Sequence, residues 1–565
     1  MLRTVKRASL GIVFLSLLLA SVAQTRAQGL LETMHAELMR NYTALREKGE
    51  VKPYYLSFEA TDVQTSVVDA SLGALRVSDS GRQRILDTSI RVGDAQFDNY
   101  HRARGGMPRF TSGSFLALED KPAPIDRILW RDTDRAYRAA VERLTLLKST
   151  QEVKVAEKDR SPDFSSAPVV NDVLPLAAQT LDRSAWESRV RKWSALFSGK
   201  RGILTSQVRV TSSSDNRYFT DSDGTQLRHG RSFARLVVGA QAKAANGMNL
   251  ALDRSFEAEN ASGLPGDAVV DKAIASLISE LQALLVAPEA EPFVGPAILS
   301  GSAAAVFFHE IFGHRMEGHR QKDEAEGQTF TNQVGQAVLP AFLSVISDPT
   351  RKKFENQDLM GWYAYDDEGV KAQRVTLVEN GILRNFLMSR SPIEGFPHSN
   401  GHGRRAPGAE VVSRQSNLIV EAAQTVPEKR LRELLIEEIK RQSKPYGLYF
   451  DKVTGGYTTT GRTGLQAFTV IPLVVYRVYA DGRPDELVRG VDIVGTPLAS
   501  FGKIAAAAQG GEVFNGYCGA ESGSIPVAAV SPALLITEIE TQRRAKAEDR
   551  PPLLSEPPAT GGASR

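Results

Sequence analysis

The sequence has little cysteine, little excess charge and no apolar run long enough to cross a bilayer. One of its 565 residues is a cysteine, Cys518, so no internal disulfide can form. Cys518 is therefore a packed side chain, a reactive thiol or a metal ligand. The formal net charge is only +3, and no dense Lys/Arg stripe with interleaved aromatic residues is present. Binding to nucleic acid is accordingly not predicted.

The N-terminal residues have the order of a secretory signal peptide. Three basic residues among the first seven precede an uncharged run of about 16 residues, Ala8 to Ala23. This run is shorter than the ~20 residues that a membrane-spanning helix needs. We predict that residues 1–23 are a signal peptide cleaved after Ala23, or else after Ala27. The mature protein would then be periplasmic or secreted, without stable membrane insertion and with a formal charge near zero.

The remaining chain divides at a polar segment bounded by prolines, APEAEP at residues 287–292. Periodicity predicts helices over 132–148, 184–197 and 267–286 before it, and strands over 54–60, 65–70 and 85–92. After it, one helix over 427–443 is followed mainly by strand patterns. We predict an α+β fold with an N-terminal mixed helix/strand domain (28–290) and a C-terminal strand-rich, antiparallel catalytic domain (291–542). The polar, Pro/Gly-rich tail, 543–565, is predicted to be disordered.

The most informative stretch is FFHEIFGHRMEGHR, residues 307–320, which contains three of the eight histidines. The apolar residues before His309 would bury it together with Glu310, and burying such groups without a partner is costly. A bound metal would supply that partner. The His309–His314 spacing is one residue longer than in the H-E-x-x-H zinc motif. We therefore predict a π-type turn or a broken helix end at residues 311–314, which would let both histidines reach one metal.

Two histidines leave a catalytic zinc one protein ligand short, because such sites use three plus water. The residues themselves leave three candidates for the third ligand. These are Cys518 in a glycine-flanked segment, His319 five residues after His314, and His402 in the segment SNGHGRR.

The motif His309-Glu310-Ile311-Phe312-Gly313-His314, followed by Glu317-Gly318, resembles that of the TldD/PmbA family of zinc metallopeptidases, once described as modulators of DNA gyrase. Further similar segments follow in the same order as in the family. They are DDEG at 366–369 with ENGIL at 379–383, GHGRR at 401–405, and Cys518-Gly519 before IPV at 525–527.

The resemblance implies one zinc per chain, held by His309, His314 and Cys518, with Glu310 as the general base that activates a zinc-bound water. It also implies a peptide substrate, unfolded or short. The partner would be a second copy or a related metal-free subunit in a heterodimer. An alternative is a non-hydrolytic, zinc-containing binding or assembly subunit. For substrate binding the sequence offers Arg404 and Arg405, since paired arginines suit carboxylates, together with His402.

Overall fold

A computed structural model of the chain describes residues 29–102, 108–151, 159–462 and 467–544. The predicted signal peptide and nearly all of the predicted disordered tail lie outside these residues. We refer to residues 29–290 as the N-terminal region and to residues 291–544 as the C-terminal region. Helices and strands are both abundant, with large, mainly antiparallel sheets, which confirms the α+β fold class.

The N-terminal region is built on one seven-stranded sheet with the order β3-β2-β1-β5-β6-β4, in which β7 also pairs with β6. The long strands β1, β2, β5 and β6 pair antiparallel along most of their length, while the short β4 lies parallel to β6. The strands are β1 Pro53–Ser71, β2 Ala74–Val92, β3 Ser114–Phe115, β4 Asn171–Val173, β5 Ile203–Asp221, β6 Gln226–Lys243 and β7 Asn249–Ala258.

Four helices cover this sheet and form two cores with it. They are α1 over residues 29–48, α2 Pro122–Gln151, α3 Arg183–Ala195 and α4 Asp267–Val286. The apolar stripe of α1, including Leu30, Met34 and Leu38, packs with α2 and the first two strands. The stripes of α3 and α4 pack in a second core with β5, β6 and β7.

The C-terminal region is strand-rich, as expected. Its strands are β8 Phe293–Leu299, β9 Leu343–Ser347, β10 Lys353–Phe354, β11 Gln357–Asp358, β12 Val375–Glu379, β13 Ile382–Leu383, β14 Gly403–Arg404, β15 Val412–Ser413, β16 Asn417–Ala422, β17 Gly447–Thr458, β18 Phe468–Val478, β19 Glu486–Val488, β20 Val491–Gly495, β21 Ile504–Ala507, β22 Glu512–Ala520, β23 Gly523–Ser531 and β24 Leu534–Arg543. Its helices are α5 Gly301–Ile311, α6 His319–Lys322, α7 Glu428–Arg441 and α8 Pro497–Phe501.

Two sheets dominate this region. In the larger one, strands β17, β8, β24, β20 and β18 are neighbours in that order, and β18 pairs again with β17, so the five strands form a closed ring. The other sheet has the order β13-β12-β9-β16-β23-β22 and therefore ends at β22. Helix α5 packs against strands of both sheets, which places it in the largest apolar core.

Buried charged side chains join the two regions. Arg405 donates from Nη2 to Glu59 Oε2 at 2.7 Å, and Arg217 donates from Nη1 to Glu59 Oε1 at 2.8 Å. Asp367 accepts from Arg217 and, at 2.6 Å, from the backbone N–H of Arg405. Asp87 lies 3.8 Å from Arg405 Nε. We call Glu59, Asp87, Arg217, Asp367 and Arg405 the interregion ion network; oppositely charged partners inside the protein compensate each of its charges.

None of the helices in the described part of the chain is both long enough and apolar enough to cross a membrane.

Candidate metal centre

The centre begins at α5, which is apolar on all sides and therefore buried. Its sequence, GSAAAVFFHEI, starts after Ser300, whose Oγ accepts a hydrogen bond from the Ala303 N–H at 3.2 Å and caps the helix. Since α5 lies between the ring and the six-stranded sheet, its last turn delivers His309 and Glu310 into the protein interior. Both side chains are buried.

The helix breaks immediately after this turn. The α-helix ends at Ile311, and a 3₁₀ turn over Gly313–Met316 carries His314. The structure therefore has the broken helix end and not the π-type turn. A side chain at Gly313 would collide with the amide of Gln415, which explains glycine at the break. Arg315 closes the helix end by donating from Nη1 to the carbonyls of Glu310 and Ile311, each at 3.1 Å.

The third residue of the cluster, Cys518, lies on the edge strand β22, which passes the end of α5. Cys518 Sγ lies 3.3 Å from His309 Nε2 and 3.3 Å from His314 Nε2. One ligand atom from each of the three residues lies within 4.8 Å of the others, and all three residues are buried. Two imidazole nitrogens and a thiolate are donors that zinc accepts. The structure thus brings together the three residues that the family resemblance names as ligands.

The pKa values of Cys518 and His314 are shifted by their neighbours in the cluster. Burial alone would raise the pKa of Cys518, but the neighbouring His314 and His309 outweigh burial and hold this pKa well below the ordinary thiol value. Burial alone would lower the pKa of His314, yet Cys518 and Glu317 raise it well above its ordinary value. A thiolate facing imidazoles is the electrostatic setting in which a bound cation can replace protons.

A carboxylate and two arginines support His314 from behind. Glu317 Oε2 lies 3.3 Å from His314 Nδ1 and accepts from Arg320 Nε at 2.8 Å. Its other oxygen lies 3.2 Å from Arg414 Nε, and Arg414 also donates from Nη2 to the Cys518 carbonyl at 2.8 Å. Burial would raise the pKa of Glu317, but His314, Arg320 and Arg414 together hold it far below its usual range. Such outer partners orient a ligating histidine.

Glu310 lies beside this cluster. Its Oε2 is 3.9 Å from His314 Nε2, and burial raises the pKa of its carboxyl above the ordinary value. The backbone of Gly456 in β17 packs against the Glu310 side chain, where a Cβ would collide with it. A carboxylate with a raised pKa near a metal site is suited to accept a proton near neutral pH.

The three residues of the cluster and Glu310 line a cleft of about 590 Å³. The cleft runs between β17 and β22, and Arg235 of the N-terminal sheet also lines it. In the described residues β22 pairs on one side only, with β23, so its other edge carries unpaired backbone groups. Tyr457 of β17 and Tyr517 of β22 are each 59% exposed at this cleft.

The other predicted site residues lie elsewhere, buried and bonded within the protein. Arg404 donates to the carbonyls of Gln415 at 2.7 Å and Pro526 at 3.0 Å. Arg405 belongs to the interregion ion network. His402 is fully buried, with Nε2 3.0 Å from Ser347 Oγ. None of the three lines the described cleft, so a role in substrate binding stays a prediction without support from their positions.

His319, the remaining candidate ligand, pairs through Nε2 with Glu521. It is not in the cluster of donors that the described residues form.

Residues 294–543 match the sequence profile of the PmbA/TldA metallopeptidase C-terminal domain. A metalloprotease of Methanocaldococcus jannaschii is 29% identical over 233 residues, covering 41% of this chain and 47% of that protein. A zinc metalloprotease TldD homolog of Saccharolobus solfataricus is 24% identical over 247 residues, covering 43% of this chain and 51% of that protein. The matched segment thus spans about half the length of these curated relatives.

The fold is similar to that of TldE from Thermococcus kodakarensis, with a TM-score of 0.61 and 12% sequence identity. This similarity covers 89% of the chain and 100% of that protein. At this identity the likeness shows a shared fold, and it extends well beyond the segment that the sequence comparisons match.

Proposed function

We propose, from the premise that residues 294–543 form a C-terminal domain of the PmbA/TldD metallopeptidase family, that this protein is a zinc-dependent peptidase. The observation that carries the proposal is the convergence of His309, His314 and Cys518, with Glu310 beside them. A structural site would not need a carboxylate with a raised pKa next to its ligands. Three protein ligands also leave the open position that catalytic zinc sites have.

The donor set suits zinc, with one ion per chain. Two neutral imidazoles and one thiolate form a mixed set of the kind found in catalytic zinc sites. The Nδ1 of His314 faces Glu317, so its Nε2 is the atom left to bind a metal. The name of the Saccharolobus solfataricus relative, a zinc metalloprotease TldD homolog, supports zinc as the metal.

Glu310 acts as the general base. Zinc supplies Lewis acidity, which polarises a carbonyl oxygen and makes water more acidic. Glu310 Oε2 accepts the proton of the attacking water and then passes it to the leaving amine. Burial raises the pKa of Glu310, whereas the charge of a bound zinc would act in the opposite direction. Together they leave a carboxylate that can accept the proton and release it again.

The cleft suits an extended peptide. The free edge of β22 presents backbone N–H and C=O groups beside Cys518, and a peptide can pair with such an edge as an added strand. Two exposed tyrosines, Tyr457 and Tyr517, stand at the cleft to contact apolar side chains. A cleft of about 590 Å³ holds only a few residues, so short or unfolded peptides are the proposed substrates.

We further propose that the protein acts outside the cytoplasm, as a periplasmic or secreted protein. The charge and hydrophobic pattern of residues 1–23 supports this location. The family resemblance supports assembly with a second copy or with a related metal-free chain.

One preparation tests the function. Zinc content and cleavage of an unfolded-peptide panel are measured on wild type, Glu310→Ala and Cys518→Ser. We expect wild type to hold about one zinc and to cut, and Glu310→Ala to keep zinc but lose at least about 100-fold in kcat. Cys518→Ser should lose zinc and activity together.

A wild type that binds zinc and cuts no peptide would instead support the non-hydrolytic binding subunit. A Cys518→Ser variant that binds zinc as tightly as wild type would remove Cys518 from the ligand set. Arg209→Gln, an exposed position on β5 outside the cleft, is the matched control and should leave both measurements unchanged.

A further inference from the structure

One of the residues that line the cleft comes from the N-terminal sheet. Arg235 of β6 lines the cleft together with Asn515 and Phe514 of β22. Its side chain is 26% exposed, although its Nε atom is buried. The cleft is therefore not built by the C-terminal region alone, and the contribution of the N-terminal region is a cation.

The two arginines of the cleft differ in how they are paired. Arg320 is fully engaged, because it donates to the carboxylates of Glu317, Glu326 and Glu521. Arg235 faces one carboxylate, that of Glu257 directly opposite on β7, with Nε 3.1 Å from Oε1. Among the described residues no group accepts a hydrogen bond from its Nη1 or Nη2 atoms. Glu257 thus holds the guanidinium from one side and leaves its outer donors available.

The position of Arg235 relative to the metal cluster follows from β22. Glu257 contacts the side chain of Asn515, which is three residues before Cys518 on the same strand. At about 3.3 Å per residue, this separation is about 10 Å along the strand. A peptide that pairs with β22 would span the same distance with about three residues.

We infer that Arg235 binds a carboxylate of the substrate peptide about three residues from the bond that is cut. This inference rests on the proposed peptidase function and names its substrate class. The carboxylate belongs either to an acidic side chain or to the free C-terminus of the peptide. Two outward Nη donors suit the two oxygens of a carboxylate, and charge-assisted hydrogen bonds are the strong ones.

Paired peptides test this inference. In one series, each peptide carries a single Asp at a different position on either side of the cut bond, and its neutral twin has Asn at the same position. A second series compares peptides with free and amidated C-termini. In wild type we expect kcat/KM for one acidic position, or for the free terminus, to exceed that of its neutral twin by about tenfold or more. The difference should appear in KM, with kcat unchanged, because Arg235 lies away from the reacting atoms.

The variant is the double change Arg235→Gln with Glu257→Gln, which removes both charges and leaves no unpaired buried carboxylate. In this variant, the ratio of kcat/KM for the acidic peptide to that for its neutral counterpart should fall to about one. Arg209→Gln should keep the preference. Equal rates for acidic and neutral peptides in wild type, or a preference that persists in the double variant, would overturn the inference.

Binding separates this inference from the peptidase function. Glu310→Gln, loaded with zinc, is titrated with the same fluorescent peptides. Acidic peptides that bind about tenfold tighter, and lose that advantage when Arg235 and Glu257 are also changed, support the Arg235 site even if wild type cuts nothing. Equal affinities overturn it even if wild type cuts every peptide.

Discussion

The metal cluster and the interregion ion network are both buried and both rich in charge, but they are organised in opposite ways. In the network, Arg405 and Arg217 share the Glu59 carboxylate, and each guanidinium has a second carboxylate beside it, so cations and anions alternate. In the cluster, His309, His314 and Cys518 point electron-donating atoms at one another within 4.8 Å. Each charge of the network has an oppositely charged partner within the protein, whereas the donor atoms of the cluster are available to a cation.

This difference decides which buried polar residues indicate function. A buried charge is expensive unless it is paired, so pairing inside the protein explains a residue without any ligand. Arg405 is explained in this way by Glu59. Arg404 and His402 have neutral partners, the Gln415 carbonyl and the Ser347 hydroxyl. In the metal cluster, the Cys518 thiolate and His314 satisfy each other only while the imidazole carries an extra proton. A bound cation can take the place of that proton, so the cluster has a partner outside the protein that the network does not have.

The largest expected effect comes from breaking the network. Arg405→Gln leaves Glu59 and Asp87 with less compensation in a buried site, and loss of one partner from such a site typically costs about 3–5 kcal/mol. We expect a correspondingly lower free energy of unfolding in urea, while the folded variant still binds one zinc. The conservative Arg405→Lys variant should lose less.

If the folded Arg405→Gln protein held less zinc without being less stable, the interregion ion network would not be independent of the metal cluster.

A smaller effect should come from a change at Glu317, which contacts the metal cluster and is also paired with buried cations. It contacts the proposed ligand His314 and also pairs with Arg320 and Arg414. Changing an outer partner of a ligating histidine typically weakens metal binding by 10–100-fold. We expect Glu317→Gln to weaken zinc binding by about this factor, measured by competition with a chelator.

The control for Glu317 is Glu521→Gln, which changes a second carboxylate paired with Arg320 but not in contact with His314. Equal zinc affinities for wild type and Glu317→Gln would show that this carboxylate serves folding alone.

The sequence predicted more of the local structure than of the long-range contacts. The helix predicted over 267–286 matches α4, but α2 begins ten residues before the predicted 132, at Pro122. Prolines are tolerated in a first helical turn, and here they hid its start. The two strands predicted at 54–60 and 65–70 are one strand, β1. Asp62 in its middle pairs with Arg82 and Arg84 of the neighbouring strand, a contact that hydrophobic periodicity does not report.

The same division holds at the metal centre. His309, Glu310 and His314 were recognisable because they lie within six residues, and the family resemblance is confirmed for residues 294–543. Their ligand and base roles stay predictions. The supporting contacts of Arg414 and Gln415 were missed, since they join residues about 100 positions apart in sequence. Arg235 was missed because it comes from the other sheet. Glu317 alone had a local signal, three residues after His314.

The smallest expected effect is a change in acid sensitivity at His402. Burial lowers the pKa of this histidine to about 3, and the nearby positive charge of Arg404 acts in the same direction. In the unfolded chain its pKa is about 6.5. Between these values the unfolded state binds a proton that the folded state does not, so stability is lost as the pH falls below about 6.5. The slope for one such group is about 1.4 kcal/mol per pH unit.

His402→Gln removes this titration and keeps a hydrogen-bonding side chain beside Ser347. The free energy of unfolding of wild type should therefore fall by about 1.0 kcal/mol more than that of the variant between pH 6.5 and pH 5.5, and by about 1.3 kcal/mol more over the next pH unit below. Urea unfolding at a series of pH values gives both slopes, and buried carboxyls such as Asp366, whose pKa burial raises to about 8, contribute equally to both proteins and cancel. Parallel slopes would mean that His402 is protonated in the folded protein. It would then be an uncompensated cation next to Arg404, which is the arrangement that the paired network avoids.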